Sequence, residues 1–151
     1  MVKHVVSLVL AVCLTVIGIS IMAEEHRPGR KRPVIEKVII EKSGAWSDGV
    51  SSHETVADCA GFVLSDADVR DYFKKARAAT QAEYVHDLLI SRCYASGRVL
   101  LSGRREVVWE IDRARRGVLW LSNDDALFFY CGKCRSKVFW EACGIDCIHA
   151  D

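Results

Sequence analysis

Cys131-Gly132-Lys133-Cys134 is the sharpest local motif in this 151-residue chain. Two thiols at this spacing can do three kinds of chemistry. They can run dithiol–disulfide exchange, usually from the start of a helix that follows a strand. They can give two thiolates to zinc, with Cys143 and Cys147 completing a four-sulfur set. They can also be oxidised into structural disulfides. A strand pattern precedes the motif, but residues 135–140 read as extended and no βαβ pattern surrounds it, so the redox fold is a poor match. Zinc would require reduced thiols in a cytoplasm-facing body. Structural disulfides are the preferred reading, and they draw in Cys59, Cys93, Cys131, Cys134, Cys143 and Cys147, leaving only Cys13 in the leader. An even count in a short exported domain reads as a disulfide framework whose connectivity sequence alone does not choose. A two-residue loop between bonded cysteines is strained. Cys131 and Cys134 are therefore expected to bond different partners, with Cys59 and Cys93 tied to that region.

Other chemistry-bearing residues are sparse. His86 stands beside Asp87, but a general base needs a nucleophile or metal beside it. The chain has no Gly-x-Ser-x-Gly elbow and no His-Glu-x-x-His pair. Adjacent His and Asp read as a local capping arrangement. No catalytic, cofactor-binding or metal residue is assigned. Trp109 and Trp120 fall on strands, with Phe128, Phe129 and Tyr130 nearby. They read as sheet core, or as an aromatic face for a protein partner. Arg104-Arg105 and Arg113-x-Arg115-Arg116 cluster at the two ends of one strand. They read as solvated turn residues, or as a basic rim meeting an acidic partner or lipid headgroups. The candidate partner-binding residues are Arg104, Arg105, Arg113, Arg115, Arg116 and Trp120.

The elements that must position these residues follow from pattern. Residues 1–23 have a signal-peptide layout: a short positive start at Lys3, an uncharged apolar run over 5–22, and Ala23 before Glu24-Glu25. The run is also long enough for an uncleaved inner-membrane anchor, and the basic stretch after it would then favour a cytoplasmic body. Export is preferred, because six body cysteines suit an oxidising space. Residues 24–55 read as a linker or extended arm, with a β-branched strand or arm over 33–42 and a loop over 43–54. Residues 56–151 read as the compact domain. Removing the leader with its one charge leaves 20 basic residues of the 21 against 20 acidic ones. A neutral body has no electrostatic footprint for nucleic acid.

Ser65 followed by Asp68 forms a capping box, with Leu64 and Val69 placed for a hydrophobic staple. Val69, Tyr72, Phe73 and Ala76 fall on one helical face. Asp66 and Asp68 in the first turn and Lys74, Lys75 and Arg77 toward the end suit the helix dipole. Thr80 with Glu83 signals a second start, while 84–90 fits helix or strand equally. Short alternating runs at 99–101, 107–111, 118–121 and 126–131, separated by turn residues, predict an antiparallel meander. The expected fold is α+β: about four strands packed with one or two helices, stapled by disulfides, with a disulfide-pinned tail over 139–151.

Asp58-Cys59-Ala60-Gly61-Phe62, Tyr84-x-His86-Asp87, Cys93-Tyr94-Ala95-Ser96-Gly97, Trp109 and Tyr130-Cys131-x-x-Cys134 together resemble a group of small exported proteins of Gram-negative bacteria. The likeness covers residues 57–134. Such proteins are often periplasmic immunity partners of toxins delivered by contact-dependent or type VI secretion. The resemblance implies a non-enzymatic binder that occludes a toxin and needs no cofactor. The alternatives from the residues are an envelope structural or stress protein, a small enzyme using His86 and Asp87, and a zinc domain.

Overall fold

The structure, a computed structural model, describes residues 32–140. In chain order the elements are β1 (Ile35–Trp46), α1 (Val56–Cys59), α2 (Asp66–Lys75), β2 (Arg77–Ala79), a π turn (Glu83–Asp87), β3 (Cys93–Leu101), β4 (Arg105–Asp112), β5 (Arg116–Trp120) and β6 (Ala126–Tyr130). The strands form one open sheet in the order β1-β3-β4-β5-β6-β2, antiparallel throughout. β3 to β6 are the expected meander. The sheet has six strands rather than about four. β2 is too short to show a period-two pattern. β1 reads as strand or arm until its pairing with β3 makes it an edge, so the fold takes in Ile35–Trp46 ahead of the start expected at Val56.

The predicted helix is present for the predicted reason. The Ser65 hydroxyl accepts from Asp68 N at 3.2 Å, and the Asp68 carboxylate accepts from Ser65 N at 2.9 Å. Thr55 and Asp58 repeat the device at α1. Val69, Tyr72 and Phe73 are buried. The helix stops at Lys75, and Ala76 turns to extended backbone. Arg77, expected within the helix end, instead opens β2.

α2 lies on what we call the inner face of the sheet. The Tyr72 hydroxyl donates to the Arg115 carbonyl at 3.0 Å and lies 3.3 Å from the Phe129 carbonyl, gathering β5 and β6 under the helix. Gly117 makes room for it: a Cβ there would stand 2.6 Å from the Tyr72 hydroxyl. Phe73 meets Phe129 edge-on at 5.4 Å. Strand alternation sends Ala95, Val99, Val107, Trp109, Ile111 and Leu119 to the same face, all buried. Trp109 sits opposite Gly97 and donates to the Ile39 carbonyl at 3.3 Å. A Cβ on Gly97 would lie 2.0 Å from that carbonyl, so β1 can approach β3 this closely only over a glycine.

Two disulfides brace the described residues. Cys59–Cys93 links α1 to the start of β3 across 34 residues, and Cys131–Cys134 closes the turn after β6. This corrects the expectation that Cys131 and Cys134 bond different partners. The turn folds Cys134 N back onto the Cys131 carbonyl at 3.3 Å. That brings the two Cα atoms to 5.5 Å, an ordinary disulfide span. The helix-to-sheet tie falls to Cys59–Cys93. Cys13, Cys143 and Cys147, the leader, and the tail beyond Trp140 lie outside the described residues.

Candidate functional site

The other face of the sheet carries Ser96 and Arg98 from β3, Val108, Glu110 and Asp112 from β4, Arg116, Val118 and Trp120 from β5, and Phe128 and Tyr130 from β6. Residues 80–92 cross one end of this outer face as a strap. The expected second start at Thr80 is used, since its hydroxyl accepts from Glu83 N at 3.1 Å. The stretch 84–90, equivocal in sequence, is a π turn followed by extended chain.

Both ends of the strap are pinned. At one end the Tyr84 ring packs 4.7 Å from Phe128. The Arg116 guanidinium lies 4.5 Å from the Tyr84 ring and donates to the Tyr84 carbonyl at 2.9 Å. At the other end Ser91 N donates to Asp112 at 3.4 Å, while the Ser91 hydroxyl and Arg92 N each donate to the Glu54 carboxylate at 2.7 Å. Arg92 also stacks over Trp46 at 5.1 Å.

Beneath the strap, Arg116 and Asp112 form an ion pair at 2.8 Å with 8% and 6% of their side chains exposed. Asp112 also accepts from Arg116 N at 3.0 Å. Burial pushes the Asp112 carboxyl up to about 6, against the opposing pull of the guanidinium. A buried pair of this kind adds little net stability but sets one geometry, because any rearrangement leaves a charge without its partner.

The structure separates the six residues singled out as a partner surface. Arg104 and Arg105 are exposed at the β3–β4 turn, Arg104 in the left-handed region at φ 64°. Arg113 is partly covered and donates to the Asp58 carbonyl at 3.2 Å. Arg115, at φ 71°, and Arg116 are buried; Arg115 donates to the Trp140 carbonyl. Two of the arginines thus stand at one end of β4 and three at the other, and the latter are mostly engaged inside the fold. Trp120 keeps 44% of its surface exposed and sits directly across from Val108, exposed at 47%. The two strand tryptophans therefore split, Trp109 to the core and Trp120 to the surface.

His86 and Asp87 are exposed on the strap, and neither side chain makes a hydrogen bond or ion pair among the described residues. Cys131 and Cys134 are buried and joined to each other. Among the described residues no group of three or more His, Cys, Asp and Glu side chains is placed to hold a metal. No described helix is long and apolar enough to cross a membrane.

Sequence reasoning missed Glu110. It lies between Ser96 and Val118 on the outer face, half-buried, and among the described residues its carboxylate makes no hydrogen bond or ion pair. Burial raises its pKa, with Arg116 and Lys42 acting more weakly in the other direction. In the sequence it reads as an ordinary polar position alternating with Trp109 and Ile111. Only its neighbours on the folded sheet make its environment unusual. No family model, curated protein or solved structure matches the chain.

Proposed function

We propose that the chain is a non-enzymatic binding protein of the periplasm, an immunity protein that neutralises a secreted, type VI-like antibacterial toxin by occluding it. The observation that carries this reading is the exposed Val108–Trp120 pair on the outer face. Aromatic side chains held in place on a surface are favoured anchors in protein interfaces. This pair stands on a central hairpin of the sheet, beside a strap pinned at both ends and on a domain braced by Cys59–Cys93. A scaffold fixed before association loses little freedom on binding, which suits tight occlusion. The disulfides support the oxidising compartment. The resemblance supplies the toxin.

The test is protection. The protein, exported in a susceptible strain, is challenged with the toxin encoded beside its own gene. Survival should rise, and the two proteins should co-purify. Trp120→Ala should weaken both effects while leaving the fold intact. Unchanged killing, with folded and oxidised protein present in the periplasm, overturns the proposal.

A further inference from the structure

Resting on the reading of the chain as a protein binder, we infer that the outer face accepts an arginine side chain of its partner, with the guanidinium on the Glu110 carboxylate and against the Tyr84–Phe128–Trp120 row of rings. Three observations lead there.

The first is charge. The cations around Glu110 already have partners. Arg116 is held by Asp112 and the Tyr84 carbonyl. Arg98 bridges Glu41 and Glu106 at 2.7 Å each. Lys42 lies 5.9 Å from the centre of the Tyr94 ring. Asp112 holds Arg116, and Glu41 and Glu106 hold Arg98, so Glu110 feels Arg116 and Lys42 only at a distance: it is half-buried and, among the described residues, makes no hydrogen bond or ion pair. A partly desolvated, unpaired carboxylate gains from an incoming cation more than an exposed one does.

The second is the rings. Tyr84 packs on Phe128 at 4.7 Å, and Phe128 meets Trp120 edge-on at 6.5 Å. Burial raises the pKa of the Tyr84 hydroxyl, with Arg116 opposing and the Asp112 and Glu110 charges adding to it. On the sheet, Val118 is the cross-strand neighbour of both Glu110 and Phe128 and is itself buried. The carboxylate and the Phe128 ring therefore flank one covered apolar position, with the exposed Trp120 and Val108 pair in the next row.

The third is the kind of cation. A guanidinium is planar, stacks on aromatic faces and offers paired donors to a carboxylate, whereas an ammonium is a more strongly hydrated point charge. The fold already places one guanidinium on Tyr84, that of Arg116, on the side that faces Asp112. Exposed Val108 offers apolar surface to the aliphatic stem of a second.

Acetyl-arginine amide is the probe, titrated into the oxidised protein and followed by amide and indole NMR shifts. Saturable shifts at Val108, Glu110, Val118 and the Trp120 indole are expected in the millimolar range. Acetyl-citrulline amide, the same shape without charge, should bind roughly tenfold more weakly or worse. Glu110→Gln should weaken arginine binding about tenfold and Trp120→Ala a few-fold, both with unchanged far-UV spectra. Equal binding of citrulline, shifts centred elsewhere, no saturable shift, or indifference to Glu110→Gln each overturn the site. Arginine binding without toxin protection would sink the immunity reading and leave the site standing. Protection without arginine binding would do the reverse.

Discussion

Trp109 and Trp120 lie on adjacent strands of one sheet, yet the first has no exposed surface and the second keeps 44%. The inner face receives a whole amphipathic helix, whose contacts are apolar apart from the Tyr72 hydroxyl and Arg70, which donates to the Ile35 and Glu36 carbonyls of β1. The outer face receives only a strap over a buried ion pair, and two residues from Asp112 stands a half-buried carboxylate, that of Glu110, with no hydrogen bond or ion pair among the described residues. The difference teaches where this fold puts stability and where it leaves surface to offer. Burial of apolar area drives folding on one side. On the other, charges and rings are positioned but not fully covered.

The most direct way to break the contrast is to truncate each tryptophan. Trp109→Ala should cost about 3–5 kcal/mol of stability, as large core truncations do, while Trp120→Ala should cost under about 1 kcal/mol. Urea unfolding under oxidising conditions measures both. Equal losses would show that the outer face is a second core.

The two disulfides sharpen the same contrast. Cys59–Cys93 spans 34 residues and ties an inner-face helix to β3, so replacing both cysteines by serine should cost about 4 kcal/mol on a chain-entropy account. Cys131–Cys134 closes a separation of three, and its loss should cost about 2 kcal/mol. The same unfolding experiment orders them, and a reversed order would contradict this account.

A smaller effect is expected at Gly117. Alanine there would press on Tyr72 from below, which should cost about 1–3 kcal/mol. Gly117→Ala combined with Tyr72→Leu should recover part of that loss, since the hydroxyl at 2.6 Å and the ring carbons at 2.7 and 2.9 Å are the atoms in the way. A double mutant that sums the two single losses would place the strain elsewhere.

A slope with pH belongs to the outer face. Asp112 is raised from 3.8 to about 6 by burial, so the folded state holds its proton more tightly than the unfolded chain. Its contribution to stability therefore grows as pH falls from above 6 toward 4. Asp58, Asp68 and Glu83 are held low chiefly by hydrogen bonds to Thr55, Ser65 and Arg77, and their contributions are lost as pH falls. Asp112→Asn removes only the first of these effects. The variant should thus lose stability relative to the native protein between pH 7 and pH 4. Parallel stability profiles over that range would refute the assignment.

Much of the inner face was legible in sequence. Ser65 and Asp68 declared the helix start, the spacing of Val69, Tyr72 and Phe73 declared its buried side, and alternation declared the meander. The outer face was not. A run of arginines near a turn reads as solvated, yet Arg115 and Arg116 are buried, because β5 begins immediately and register carries Arg116 beneath the strap beside Asp112. The disulfide partners were illegible for a related reason. Proximity across 34 residues is set by packing, and the spacing of Cys131 and Cys134 argues against a bond that their turn in fact allows.

By itself the chain determined its local structure: where the long helix starts, which side chains alternate, and that many sulfur atoms sit in a short body. Those signals live within a few residues, where capping and periodicity act. Which cysteine meets which, which tryptophan stays in water, and that the Glu110 carboxylate is half-buried without a contact among the described residues were decided by tertiary structure alone. Each depends on segments far apart in sequence being brought to one face, and no local interaction energy encodes that arrangement.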